Sequence, residues 1–338
     1  MAGAVGSGAP QCNLLVLGDR AANPELAALD ALPEGVRVAR VARGDALLAD
    51  CGEEALADVD AVLVCVGAGR REMQAAWPAL SASGRLRWVH STFAGLDHFL
   101  FPELAAAPGV AFTNARGVFS HSLAEFVIFA CKYFALDFPR AMAAQGRREW
   151  APYTVEELRG QTLGVVGMGS IGAQTARLAS AFGMRVVGLR RSGAPAEGVA
   201  RMYGADELPA LMAESDYVVA CLPYTDATDG YIDAKAISAM RSNAVFVNVG
   251  RGKTVDEAAL VEALREKRIR GAALDVVREE PMPSNNELWE LPNVIITPHC
   301  ADSTAVMAKE SIELFVENAG RFVEGRELLN TVDPAAGY

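Results

Sequence analysis

The feature that most limits how this chain can fold is the spacing of its short apolar runs. One series lies at 14–17, 36–41, 61–66, 86–90 and 110–113, and a second at 163–166, 185–189, 217–221, 245–249, 272–276 and 294–297. Between successive runs there is room for a helix or a loop. Strands that alternate with helices build a parallel sheet with helices on both faces. The second series has six runs, the size of a full dinucleotide fold. With 338 residues and about 100–200 residues per domain, two domains are expected. The predicted class is α/β, with two Rossmann-like or flavodoxin-like domains, parallel sheets and a cleft between them.

Composition fits such a protein and removes several alternatives. Hydrophobic residues make up 51% and charged residues 22%, enough apolar material for two cores. The net charge of −11 repels phosphate backbones, so no nucleic-acid partner is expected. No apolar run approaches membrane-spanning length, and residues 1–11 lack the charged start and apolar stretch of a signal peptide. A cytoplasmic protein without a membrane partner is the expectation. Cysteines 12, 51, 65, 131, 221 and 300 form no C-x-x-C pair and read as reduced thiols. His90, His98, His121 and His299 share no metal spacing, so no metal is expected. His98 and His121 read as surface or capping residues, although His98 could line a pocket.

Residues 124–136 carry only Glu125 and Lys132 as charges, the pattern of a helix buried between domains or in a subunit interface. Residues 137–160 are mixed and read as a connecting arm. Between 254 and 270, Asp256 and Glu257 precede Arg265, Lys267 and Arg268, with Gly271 beyond, an order that suits the helix dipole. Asp302, Ser303 and Thr304 offer caps for a last long helix to about residue 324.

The sharpest motif is Gly167-Met168-Gly169-Ser170-Ile171-Gly172, which follows the run 163–166 and opens a helical pattern. In that context Gly167 allows a tight turn, Gly169 lets the backbone approach a pyrophosphate, and Gly172 lets helix and strand pack closely. The helix N-terminus then presents free N–H groups to the anion. A nicotinamide site selective for NAD places an acid at the end of the next strand. Here that strand runs into Arg190-Arg191-Ser192, and the nearest acids, Glu197 and Asp206, come too late. Guanidinium groups and a hydroxyl favour a 2′-phosphate. NADPH/NADP is therefore the preferred cofactor, with NADH/NAD allowed. The competing view is a pair of solvated surface arginines.

Three later strand ends hold polar residues among apolar ones: Asn248-Val249-Gly250-Arg251-Gly252, Asp275 through Glu280-Pro281, and Thr297-Pro298-His299-Cys300-Ala301. Ligands of open α/β sheets bind beyond the carboxyl ends of the strands. Reducing a 2-oxoacid needs a cation for the carboxylate, a proton donor for the ketone and a hydride source. Arg251 supplies the first and His299 the second, while Glu280 would charge and orient His299. Each residue alone is common at a protein surface. Their order and placement carry the signal.

On these motifs, together with Leu222-Pro223, Thr228 and the segment Ser91-Thr92-Phe93-Ala94-Gly95-Leu96-Asp97, the chain resembles the D-isomer-specific 2-hydroxyacid dehydrogenases. Within that family it looks most like NADPH-using glyoxylate/hydroxypyruvate reductases. The resemblance implies a catalytic set of Arg251, Glu280 and His299. It implies a cofactor site that includes residues 167–172 and 190–192, Leu222, Pro223, Thr228, Val249, Gly250, Ala301 and Asp275, the last near the nicotinamide. Arg251, His299 and the backbone of Ala94 and Gly95 would hold a small 2-oxoacid or 2-hydroxyacid. A discontinuous substrate-binding domain of 1–115 plus 303–338 and a dinucleotide-binding domain of 116–302 are implied, in a homodimer joined through the cofactor domains. Trp150 would pack within the arm or reach a partner's active site, and both stay open.

Cys300 replaces the aliphatic residue usual after that histidine. A Cys–His nucleophilic pair is not expected, on the argument that adjacent strand residues point to opposite faces. Glu280 stands where formate dehydrogenases of the superfamily carry Gln, which argues for a keto acid that needs a proton. A second functional class shares this fold, namely NAD(P)H-sensing transcriptional corepressors. They usually carry long tails, which this sequence lacks. Phosphite and phosphoglycerate dehydrogenases form a third.

Overall fold

The computed structural model describes residues 12–42 and 56–334. The chain divides into two compact units, one within residues 1–118 and 304–338 and one at 119–303. The divisions fall at 118/119 and 303/304, where 115/116 and 302/303 were expected. Residues 115 and 116 stay with the first unit because Ala115 N–H donates to the Phe93 carbonyl and Asn330 Nδ2 donates to the Arg116 carbonyl.

In the first unit five parallel strands, β1 (Cys12–Leu17), β2 (Val36–Ala42), β3 (Ala61–Val64), β4 (Trp88–Ser91) and β5 (Ala111–Asn114), lie in the order β2-β1-β3-β4-β5. β1 and β3 are buried along their whole length, which explains their unbroken apolar sequence. The helix Arg70–Ser83 begins where the Glu72 carboxylate accepts the Gly69 N–H at 2.9 Å, and it ends at the left-handed Gly84 (φ 61°). The late helix Ala305–Val323 starts at Thr304, whose hydroxyl accepts the Met307 N–H. It buries Ile312, Phe315 and Ala319, and the Phe315 ring stacks on Trp88 with centroids 5.0 Å apart. Beyond it Thr331 bridges antiparallel to Thr113, and Val332 N–H donates to the Phe112 carbonyl.

The second unit has seven parallel strands where six were expected. They are β6 (Thr162–Val166), β7 (Arg185–Leu189), β8 (Arg201–Tyr203), β9 (Tyr217–Ala220), β10 (Val245–Asn248), β11 (Gly271–Leu274) and β12 (Val294–Ile296), in the order β12-β11-β10-β9-β6-β7-β8. The additional strand β8 is too short and polar to register as an apolar run. It is secured by the buried Tyr203, whose hydroxyl donates to Glu214 Oε1 at 2.6 Å. Strand order reverses between β6 and β9, where an open α/β sheet forms its crevice.

The apolar helix spans Ser120–Ala135, so it begins earlier than residue 124 and gains the buried Ser120 and Leu123. The expected arm after it contains a further helix, Phe138–Gly146. Pro139 does not prevent this, because its missing N–H falls in the first turn. The helix Glu257–Arg265 is capped by the Asp256 carboxylate, which accepts the Ala259 N–H at 3.1 Å. No helix among the described residues is long and apolar enough to cross a membrane.

Candidate active site

The loops at the carboxyl edge of the seven-stranded sheet are packed backbone to backbone. Gly167 turns at φ 103°, and a Cβ there would lie 2.9 Å from the Cys221 carbonyl. At Gly250 a Cβ would lie 2.7 Å from the Leu222 oxygen, and at Gly252 it would lie 1.9 Å from the Val277 carbonyl. The loops after β6, β9, β10 and β11 are thereby locked side by side, a closeness only glycine permits. Gly172 brings the helix Ser170–Ala181 against its strand, with a virtual Cβ 2.3 Å from the Gly167 oxygen.

Gly169 is the exception, because a Cβ there would meet nothing within 4 Å. The helix that starts beside it has no side-chain cap. The space and the unclaimed first-turn amides of Ser170, Ile171 and Gly172 fit a pyrophosphate. Met168 closes the turn from the other side: its N–H donates to the Leu189 carbonyl and its side chain lies against Gly188.

At the end of β7 Arg190 is half-buried, and Arg191 and Ser192 are exposed. The Arg190 guanidinium donates to the carbonyls of Ala194 and Pro195, so it braces this turn. After β9, Leu222 is half-buried and Pro223 exposed, and the Thr228 hydroxyl donates to the Pro223 carbonyl at 2.8 Å. Thr228 therefore ties its own turn together.

The segment after β10 is held by Asn248, whose Oδ1 accepts the Gly250 N–H at 3.0 Å, and by Thr254, whose hydroxyl donates to the Arg251 carbonyl at 2.7 Å. Val249 and Gly250 are buried, and Arg251 emerges half-buried from this clamp. Thr254 escaped the sequence reading. Its position three residues after Arg251, where a side chain can bond back to a carbonyl, was the available signal.

Asp275 is 3% exposed. Its Oδ1 accepts the Thr297 hydroxyl at 2.6 Å and the N–H groups of Cys300 and Ala301 at 3.0 Å each. The Asp275 carbonyl accepts the His299 N–H at 2.9 Å. One residue thus ties the segment from Thr297 to Ala301 into a tight turn, in which His299 has φ 51°. His299 and Cys300 are not strand residues, so strand alternation is not what separates them. What fixes Cys300 is its N–H bond to Asp275.

His299 Nδ1 lies 2.7 Å from Glu280 Oε2, and Glu280 Oε1 accepts the Val277 N–H at 3.0 Å. The hydrogen bond to Glu280, reinforced by that residue's charge and opposed by burial, raises the imidazole pKa above its ordinary value. Burial works to raise the Glu280 pKa, but the His299 bond, the Val277 N–H and the nearby charges of His299 and Arg251 outweigh it and hold the pKa down. With Nδ1–H directed at the carboxylate, Nε2 is the nitrogen that can exchange a proton with a ligand.

In the first unit Ala94 and Gly95 lie half-buried in the loop after β4. His98 is half-buried and packs its ring edge-on against Phe93 and Phe99. His121 lies in the first turn of the helix Ser120–Ala135, close to Gln174. Trp150 is 94% exposed within this chain, which removes packing within the arm as its role. Cys12, Cys65, Cys131, Cys221 and Cys300 are free thiols, and Cys51 lies outside the described residues.

Residues 133–301 match the model of the D-isomer specific 2-hydroxyacid dehydrogenase NAD-binding domain. The chain belongs to this family. A glyoxylate reductase of Aeropyrum pernix is 36% identical over 265 residues, covering 75% of this chain and 78% of the relative. A D-isomer specific 2-hydroxyacid dehydrogenase from Xanthobacter autotrophicus, solved with NADPH and MES, aligns with TM-score 0.78 at 32% identity over 97% of this chain and 100% of that one. An NADPH-dependent glyoxylate/hydroxypyruvate reductase of Sinorhizobium meliloti, solved with NADP and sulfate, aligns with TM-score 0.78 at 28% identity and the same coverage. This 2-hydroxyacid dehydrogenase is accordingly an NAD(P)-dependent oxidoreductase, and its seven-stranded unit is the NAD(P)-binding domain.

Proposed function

We propose that this dehydrogenase works mainly as an NADPH-dependent reductase of small 2-oxoacids of the glyoxylate and hydroxypyruvate type. The observation that carries the reading is the 2.7 Å pair of His299 and Glu280, on a turn held by a buried aspartate. NADPH supplies the hydride when bound. Its pyrophosphate is assigned to the turn Gly167–Gly172, with Leu222, Pro223, Thr228, Val249, Gly250, Asp275 and Ala301 around the remainder. Its 2′-phosphate is assigned to the exposed Arg191 and Ser192 with Arg190 behind them, since no carboxylate stands at the end of β7 to repel it.

The substrate carboxylate is assigned to the Arg251 guanidinium and the backbone N–H groups of Ala94 and Gly95. Arg251 also draws charge from the ketone oxygen, which makes the carbonyl carbon a better hydride acceptor. His299, kept protonated by Glu280, gives its Nε2 proton to that oxygen. In the reverse direction the neutral imidazole takes the hydroxyl proton. The units 1–118 with 304–338 and 119–303 then serve substrate and cofactor respectively. Exposed Phe129, Phe138 and Met142, on two neighbouring helices of the cofactor unit, support a homodimer through that unit. The 94%-exposed Trp150 is assigned to the partner's substrate site.

The test is a set of initial rates of NADPH and NADH oxidation with glyoxylate, hydroxypyruvate, pyruvate and a bulky aryl oxoacid. Rapid NADPH oxidation with a small oxoacid is expected. Equal or better kcat/KM with NADH would discard the phosphate role of Arg191 and Ser192, and a preference for the aryl acid would discard the substrate class.

A further inference from the structure

The chain after β4 is pinned by hydrogen bonds from the end of β5. The Phe93 carbonyl accepts the Ala115 N–H at 3.1 Å, and the Ala94 carbonyl accepts Asn114 Nδ2. Among the described residues the cis peptide bond is Glu280–Pro281, so the units joining Phe93 to Ala94 and Ala94 to Gly95 are trans. In a trans unit the C=O and N–H point in opposite directions. Drawing both carbonyls towards β5 therefore turns the N–H groups of Ala94 and Gly95 away from it, next to each other. Two successive amide hydrogens presented together form a seat for anionic oxygen.

Asn114 is itself fixed on every side. It is 2% exposed, and its Oδ1 accepts the Arg116 N–H at 3.1 Å, which aims Nδ2 at Ala94. Its backbone N–H donates to the Asn330 carbonyl at 3.3 Å, and its carbonyl accepts Asn330 Nδ2 at 3.2 Å. Asn330 Nδ2 also donates to the Arg116 carbonyl at 2.7 Å. Asn330 has φ 54°, a conformation that asparagine tolerates better than most residues. A relay thus runs from the late segment at Asn330 through Asn114 to the peptide plane that carries the Gly95 N–H.

We infer that Asn114 is the positioning residue for the carboxylate-binding amides and that Asn330 holds Asn114 in register. This rests on the assignment of the substrate carboxylate to Ala94 and Gly95. Asn114 does not touch substrate in this scheme. Its side chain sets the direction of the Gly95 N–H beside that of Ala94, so its loss weakens binding of a carboxylate more than it slows hydride transfer.

The experiment compares kcat/KM for pyruvate and for methyl pyruvate, which lacks the anionic carboxylate, in Asn114→Ala. Tm and the Kd for NADPH are measured alongside. The pyruvate KM should rise about tenfold, the loss of roughly one well-placed hydrogen bond, with kcat within about twofold and the NADPH Kd unchanged. The acid-to-ester ratio of kcat/KM should fall by a similar factor. Asn330→Asp keeps size and backbone tolerance but loses both donated bonds, and should move the ratio in the same direction by less. A lower Tm with an unchanged ratio in both variants would mean a merely structural role and overturn the proposal. Gly95→Pro, which removes one amide hydrogen, separates the two failures. If it lowers the ratio while Asn114→Ala does not, only the relay falls. If it too leaves the ratio unchanged, the carboxylate assignment falls, and the relay with it.

Discussion

At the carboxyl edge of the seven-stranded sheet, neighbouring loops touch through backbone, and glycine is required at Gly167, Gly250 and Gly252. At the same edge of the five-stranded sheet the loop after β4 is held by side-chain struts, Ser91 to the Phe93 N–H and Asn114 to the Ala94 carbonyl. At the first edge this backbone contact is joined by the side chains of Asn248, Thr254 and Asp275, which brace the loops that carry the proposed chemistry. Arg251 and Glu280 project from such loops, and His299 from the turn after β12 that Asp275 ties down. At the second edge polar side chains and the Ala115 N–H brace the loop, and in the proposed scheme its backbone meets the ligand. A deletion in the first should therefore show in turnover, and a deletion in the second in substrate affinity.

The most forceful way to break this contrast is His299→Ala. Reduction should fall by about 10²–10⁴-fold, the usual range for a general acid, with NADPH affinity intact by fluorescence titration. Turnover near that of the unaltered protein would end the division of labour. A smaller effect should follow Gly252→Ala, where a methyl group must enter space held by the Val277 carbonyl. Overpacking of this kind costs about 1–3 kcal/mol, to be read as a lower denaturation midpoint. An unchanged midpoint would show that the loops after β10 and β11 can part.

The subtlest prediction concerns pH. The His299 pKa is raised chiefly by its bond to Glu280, and the proposed reduction uses the protonated form. kcat/KM for reduction should hold at low pH and decline as pH rises through that raised value. In Glu280→Gln the imidazole loses its anionic partner, so the decline should begin at lower pH. A pH profile that does not move would assign the charging of His299 to some other group.

Much of the nucleotide-binding unit was legible in the sequence. Its glycine turn and the helix cap at Asp256 follow from local chemistry, as does the cap at Thr304 in the other unit. What escaped was what local pattern cannot encode. Strand β8 has three residues and is stabilised by Tyr203 and Glu214 from separate elements. Helix Phe138–Gly146 was hidden by a proline that is harmless in a first turn. The bracing role of Arg190 depends on carbonyls that only the folded turn brings within reach. Asn114 and Asn330 meet across 216 residues of chain, far beyond any sequence window.

That separation also orders events in time. Residues 119–303 are continuous, so every strand of the seven-stranded sheet has its neighbours once residue 303 has left the ribosome. The five-stranded sheet is made first but finished last. Trp88 has no Phe315 to stack on, and β5 no Thr331 beside it, until the final part of the chain has been synthesised. During that interval its apolar face, Leu14, Val16 and Leu63 among it, has Leu26 and Leu29 beside it but lacks Ile312, Phe315 and Ala319. A ribosome stalled before residue 305 would therefore release a complete seven-stranded sheet attached to a five-stranded sheet that still lacks part of its core.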